Sequence, residues 1–175
     1  PKERRAKGLR VACSAAVFVP KPFTPFQWAA QDSLAEMSRK TALLRDAVRQ
    51  VRGATFNWHE GAISRLEACF ARGDRRLSDV LYRAWQLGAR LDGWSECFRP
   101  DLYAQAFAEC GLDMDFYACR ERDKDELLPW DFIDAGISKA FLWREREKSL
   151  RAEITPDCRK GCQGCGLTAL EGGCR

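Results

Sequence analysis

Three prolines within six residues, Pro20, Pro22 and Pro25, close an unusual strand and constrain the chain more than any other feature. From Gly8 to Val19 the residues are mostly small or β-branched. In an extended chain Val11, Cys13, Ala15, Val17 and Val19 point one way, and Ala12, Ser14, Ala16 and Phe18 point the other. A strand apolar on both faces is expected to be covered on both faces, as in a parallel α/β sheet or barrel. Pro20 ends it, because proline has no N–H to give to a ladder. The following loop is stiff and holds Lys21, Thr24 and Gln27 at its surface. Loops leaving the C-terminal ends of parallel strands are where ligands sit, so this loop is a candidate wall of a site.

Helical signals follow. Ser33-Leu34-Ala35-Glu36 fits a capping box. Leu34, Met37, Thr41, Leu44, Val48 and Val51 recur at helical spacing, with arginines and Lys40 mostly opposite, and Gly53 stops the pattern. Ala54–Trp58 offers a short extended piece. Ile63, Leu66 and Phe70 mark a helix broken at Gly73. Asp74 can cap the next, which carries Leu77, Val80, Leu81, Ala84, Leu87 and Leu91. Asp101 to Cys110 and Met114 to Cys119 read as two more. Residues 121–126 read as a charged surface loop, and Ser138 caps a last helix buried only around Phe141, Leu142 and Trp143. Arg72, Asp74, Arg75 and Arg76 suggest a salt-bridge network at a helix–helix turn. His59, the single histidine, has no visible partner.

The chain has 175 residues, 46% hydrophobic, with six Trp and ten Phe, enough for one globular unit. Its net charge of +4 does not argue for a nucleic-acid or membrane partner. The basic residues are dispersed, without an aromatic-rich basic stripe, so nucleic acid is not indicated. No apolar run reaches membrane-spanning length. The opening Pro1-Lys2-Glu3-Arg4-Arg5-Ala6-Lys7 resembles a helix end, and the sequence reads as cut from a longer chain. Nine cysteines without a visible secretory signal favour a reducing, cytoplasmic setting and metal binding over disulfides.

Four of those cysteines lie within seventeen residues. Cys158, Cys162 and Cys165 have the spacing C-x3-C-x2-C, and Cys174 follows, among Gly161, Gly164, Gly166, Gly172 and Gly173. Thiolates suit zinc or iron–sulfur clusters, and glycines let backbone wrap closely around a metal. The spacing does not choose between zinc and iron, and a tail of free thiols or a disulfide loop is the bland alternative. Cys13, Cys69, Cys97, Cys110 and Cys119 are scattered and read mostly as small buried hydrophobes.

The run Phe18-Val19-Pro20-Lys21-Pro22-Phe23-Thr24-Pro25-Phe26-Gln27-Trp28 resembles a signature of radical S-adenosylmethionine proteins that carry an N-terminal cobalamin-binding domain. Ala71-Arg72-Gly73-Asp74-Arg75-Arg76, Asp92-Gly93-Trp94-Ser95-Glu96, Leu128-Pro129-Trp130-Asp131 and Thr155-Pro156-Asp157-Cys158-Arg159 extend the resemblance, in the family's order. Family members usually have His at the positions of Phe23 and Cys97, so no histidine role transfers. The tail is also one residue shorter between its first two cysteines than in relatives. The resemblance implies an iron–sulfur oxidoreductase that cleaves S-adenosylmethionine reductively. It makes Val11–Val19 a late strand of a partial TIM-like barrel. The radical-generating [4Fe–4S] cluster of such enzymes follows the first barrel strand. The tail motif follows the last one, so the resemblance makes it an auxiliary or structural site. It also implies that Lys21, Thr24 and Gln27 contact S-adenosylmethionine or substrate.

The expected architecture is therefore an α/β fragment, the last strand and helix of a radical S-adenosylmethionine barrel, followed by a mainly helical extension with a Cys-rich tail. The divisions fall at residues 1–58, 59–153 and 154–175. Cys158, Cys162, Cys165 and Cys174 are the expected metal ligands. Cobalamin and S-adenosylmethionine belong to the longer protein, and the upstream polypeptide is the expected partner; the substrate is not legible, and the segment alone is not expected to be active. The alternative is a non-enzymatic helical interaction module with a structural zinc site in its tail.

Overall fold

A computed structural model describes residues 8–169. Two strands open the fold, β1 (Val11–Ala15) and β2 (Ala54–Trp58), joined by helix α1 (Leu34–Arg49). They pair in parallel, with Val11 opposite Ala54 and Ala15 opposite Trp58. Ser33 caps α1, its hydroxyl accepting from the Glu36 N–H at 3.3 Å. The Glu36 carboxylate turns to Arg39, so the capping box is half made. Gly53 turns the chain into β2 at φ +85°, and a Cβ there would lie 2.9 Å from the Leu9 carbonyl.

Five helices follow: α2 (Gly61–Arg72), α3 (Leu77–Leu87), α4 (Pro100–Glu109), α5 (Met114–Ala118) and α6 (Lys139–Leu150). The apolar stripes come together as α2 packs on α5 and α3 on α4. Leu66, Cys69, Leu77, Val80, Tyr103, Phe107 and Tyr117 lie in their shared core. The turn between α3 and α4 is tied down by the Tyr103 hydroxyl, which donates to Asp92 at 2.6 Å. This contact accounts for Asp92 in the Asp-Gly-Trp-Ser-Glu run.

A second core positions the proline loop. Trp28, Leu128, Trp130 and Leu142 are buried together, with Phe23, Ile137, Phe141 and Trp143 packed around them. Trp28 meets Trp143 edge to face, with ring centroids 5.0 Å apart. The loop after β1 and the start of α6 are thus held against each other, although more than a hundred residues separate them.

The strand differs from expectation. It spans five residues, and Val11 is 47% exposed. Cys13 and Ala15 are half-buried, while Ala12 and Ser14 on the other face are exposed. Among the described residues β1 pairs only with β2, and α1 packs on β2 and α2. An apolar pattern reports a capacity for burial, and among the described residues no layer covers the second face. The 121–126 loop also differs, because Arg122 is buried.

Candidate functional site

Two cavities flank the first turn of α6. Ser138 caps that turn through a bond from the Phe141 N–H at 3.2 Å. On one side lies the cysteine tail. Lys148 donates to the Thr155 hydroxyl at 2.9 Å, and that hydroxyl donates to Glu145 at 2.5 Å. The Thr155 bond, followed by Lys148, holds the Glu145 carboxyl below its ordinary range against the opposing effect of burial. Asp157 caps a short 3-10 turn at Cys158–Lys160. Arg144 donates to the Gln163 carbonyl at 2.6 Å, and the Ser138 N–H donates to the Cys165 carbonyl at 2.8 Å. Gly166, at φ +111°, passes so close to the chain that an added Cβ would lie 2.8 Å from the Gly136 carbonyl.

These bonds bring Cys158, Cys162 and Cys165 to the wall of one cavity of about 220 Å³, closed by Phe141, Thr155 and Pro156. Gly164, at φ +69°, aims its N–H at the Cys162 sulfur, 3.4 Å away. Such N–H···S bonds stabilise a thiolate and tune the metal it binds. Three thiols are donors of the soft kind that zinc and iron–sulfur clusters take. Among the described residues, however, no three His, Cys, Asp or Glu side chains are gathered closely enough to hold an ion. Cys174, the fourth expected ligand, lies outside the described residues.

On the other side of the turn, the proline loop and residues 130–139 line an open cavity of about 410 Å³. The structure separates the three loop candidates. Lys21 makes an ion pair with Glu67 of α2. Thr24 closes the turn by donating to the Lys21 carbonyl at 2.8 Å. Only Gln27 reaches the cavity. Its Oε1 accepts from the Phe23 N–H at 3.0 Å and from the Trp130 indole at 2.8 Å. Phe23 takes a left-handed conformation, φ +58°, to present that N–H.

Trp130, Asp131 and Lys139 enter this site without having been read from sequence as site residues. Their signal is the Leu-Pro-Trp-Asp run followed by a capping serine. Asp131 accepts from the Leu128 N–H at 2.9 Å and from Lys139 at 2.6 Å. Gln31 was also passed over; its amide bridges the carbonyls of Phe18 and Ser64 and anchors the loop to α2. His59 is exposed just after β2, its N–H donating to the Ala15 carbonyl. Cys69 is buried, with its thiol pushed up to about 12, chiefly by burial.

Among the described residues, no helix is long and apolar enough to cross a membrane. No protein-family model, curated protein or solved structure matches the chain.

Proposed function

We propose that the chain is the C-terminal part of a radical S-adenosylmethionine iron–sulfur enzyme, with Cys158, Cys162 and Cys165 binding an auxiliary metal centre. The observation that carries the metal reading is the convergence of these three cysteines on one cavity, with a backbone N–H aimed at one sulfur. The wider enzyme assignment rests on the resemblance of the proline loop and the four later motifs. Radical initiation would belong to upstream segments of the same polypeptide, where S-adenosylmethionine and cobalamin would also bind. A bound cluster would supply electron storage at the tail, and zinc would supply only a clasp.

This chain's own residues have the simpler tasks of presenting thiolates and fixing the tail. Arg144, Ser138 and Lys148 hold its main chain and Thr155 in place, and the Gly164 N–H donates to the Cys162 sulfur.

The test is anaerobic purification, with iron, sulfide and zinc assayed against a Cys158→Ala/Cys162→Ala/Cys165→Ala variant. Iron and sulfide bound by the wild type and lost in the variant are expected. Stoichiometric zinc alone would favour the structural module instead. No metal in either protein would end the metal reading.

A further inference from the structure

Gln27 is only 2% exposed, yet it sits at the wall of the 410 Å³ cavity. Two donors pin its oxygen, which fixes the orientation of the carboxamide. Its Nε2 finds no acceptor among the described residues and is not among the fully enclosed, unsatisfied atoms. The amide N–H2 is therefore left to the cavity. A donor held in one orientation at a cavity wall, with no protein group to receive it, offers itself to an acceptor from outside.

The rest of the wall narrows the chemistry. Asp134 spends one oxygen on the Gly136 N–H at 2.8 Å. Lys139 is occupied by Asp131 and by the Glu126 carbonyl. With two carboxylates against one ammonium, the polar side carries a net negative charge. A ligand carboxylate would meet that charge, and an ammonium would leave the Gln27 donor unmatched. Phe23, Trp130 and Ile137 supply an apolar surface beside these groups.

We propose that this cavity binds a neutral ligand carrying a carbonyl acceptor beside an N–H donor, the edge of an amide or a lactam. The carbonyl accepts from Gln27 Nε2, the N–H donates to the free oxygen of Asp131 or Asp134, and the body of the ligand lies against Phe23 and Trp130. The site uses none of the tail cysteines, so it stands or falls separately from the metal centre.

The test is a titration followed by the Gln27 side-chain amide and the Trp130 indole N–H in 1H–15N spectra of the whole chain. Uridine supplies a lactam edge, N-acetylphenylalaninamide an open amide, and benzoate an anionic acceptor without a donor. Saturable shifts of both signals are expected with at least one of the first two probes, and which one responds tells ring from open amide. Gln27→Glu keeps acceptors for Phe23 and Trp130 but loses the outward donor, and should weaken binding at least about tenfold. Should that buried charge unfold the protein, Ile133→Trp decides the matter, because Ile133 lines the cavity and is half exposed. The larger ring should abolish the shifts while leaving the probe-free Gln27 and Trp130 signals in place. Shifts equal with benzoate, shifts that survive Ile133→Trp, or no shifts with either amide would overturn the proposal.

Discussion

Arg122 donates from Nη2 to the main-chain carbonyl of Arg72 at 2.6 Å, and Arg72 in turn donates to the carbonyls of Ala118 and Arg120 at 2.7 and 2.8 Å. Two buried arginines thus tie the C-terminal ends of α2 and α5 without a carboxylate as direct partner. Burial, and next the charge of Arg122, push the Arg72 guanidinium down to about 10, which still leaves it charged near neutrality. Arg122 also lies over the Trp130 ring at 5.1 Å. The helical core is joined in this way to the aromatic core that carries the Gln27 cavity.

Arg72→Met should therefore be among the most damaging substitutions in the chain. It leaves the Arg120 carbonyl without its donor and the Ala118 carbonyl with the Gln31 N–H alone, at about 1–3 kcal/mol for a buried group left unpaired and a similar loss for a hydrogen bond to a charged group. Urea unfolding should show a loss of roughly 3 kcal/mol with little change in slope. Arg72→Lys keeps the charge but not the two-pronged reach, and should lie between wild type and Met. A loss below about 0.5 kcal/mol for Met, the ordinary range for surface changes, would mean that the carbonyls find other donors.

Gly73 follows Arg72 and is constrained by space, since its φ of −77° suits any residue. An added Cβ would lie 2.0 Å from Leu77 Cδ1 and 2.7 Å from the Cys69 carbonyl. Leu77 can rotate, but the carbonyl belongs to the helix backbone. Gly73→Ala should cost about 1–3 kcal/mol, as overpacking does. Gly88→Ala offers a contrast. At φ +107° it meets nothing within 4 Å, so any loss there reflects backbone conformation alone. Thermal unfolding of the two variants separates crowding from strain.

Acid should weaken the 120–126 turn. The Arg120 bond to Glu126, the largest influence, holds that carboxyl below its ordinary value of 4.5, with burial opposing it. A carboxyl depressed in the folded state stabilises the fold above its unfolded pKa, and that stability is lost as pH falls through the folded value. Urea midpoints should be flat in this contribution near neutrality and fall below about pH 4.5. Glu126→Gln should be less stable than wild type near neutrality and show a smaller acid decline. Parallel declines for both proteins would remove Glu126 from the account.

The helices were legible because the stripes Ile63-Leu66-Phe70 and Leu77-Val80-Ala84, and the break at Gly73, are local signals; the second stripe was read through to Leu91, whereas Gly88 ends α3 at Leu87. Ser33 and Ser138 cap as their positions suggest. Burial of β1 was misjudged because periodicity tells which faces are apolar, not what lies against them. Arg122 sits in a run of charges whose composition says surface; its side chain is held by a carbonyl fifty residues away. The Gln27 cavity was half visible. A stiff loop after a strand marked one wall, but the partner wall at Trp130 comes from a segment 103 residues later. Nothing local records that pairing.

Thiol chemistry offers a last test, and it reads the helical core and the tail in one experiment. Cys69 is fully buried, gives its S–H to the Met114 carbonyl at 3.4 Å, and has its pKa pushed up to about 12. Cys158 and Cys162 are exposed. The thiolate is the nucleophile, so at pH 8 a pKa near 12 instead of an ordinary 8.5 suppresses the reactive form roughly a thousandfold. Metal-free protein treated with iodoacetamide should therefore be modified at Cys158 and Cys162 first. Cys69 should stay intact until urea unfolds the helical core, and peptide mass spectrometry would follow each site. Rapid modification of Cys69 in the native protein would show that α2 and α5 part readily. Because Arg72 ties the same two helices, Arg72→Met should then expose Cys69 at lower urea than the wild type requires.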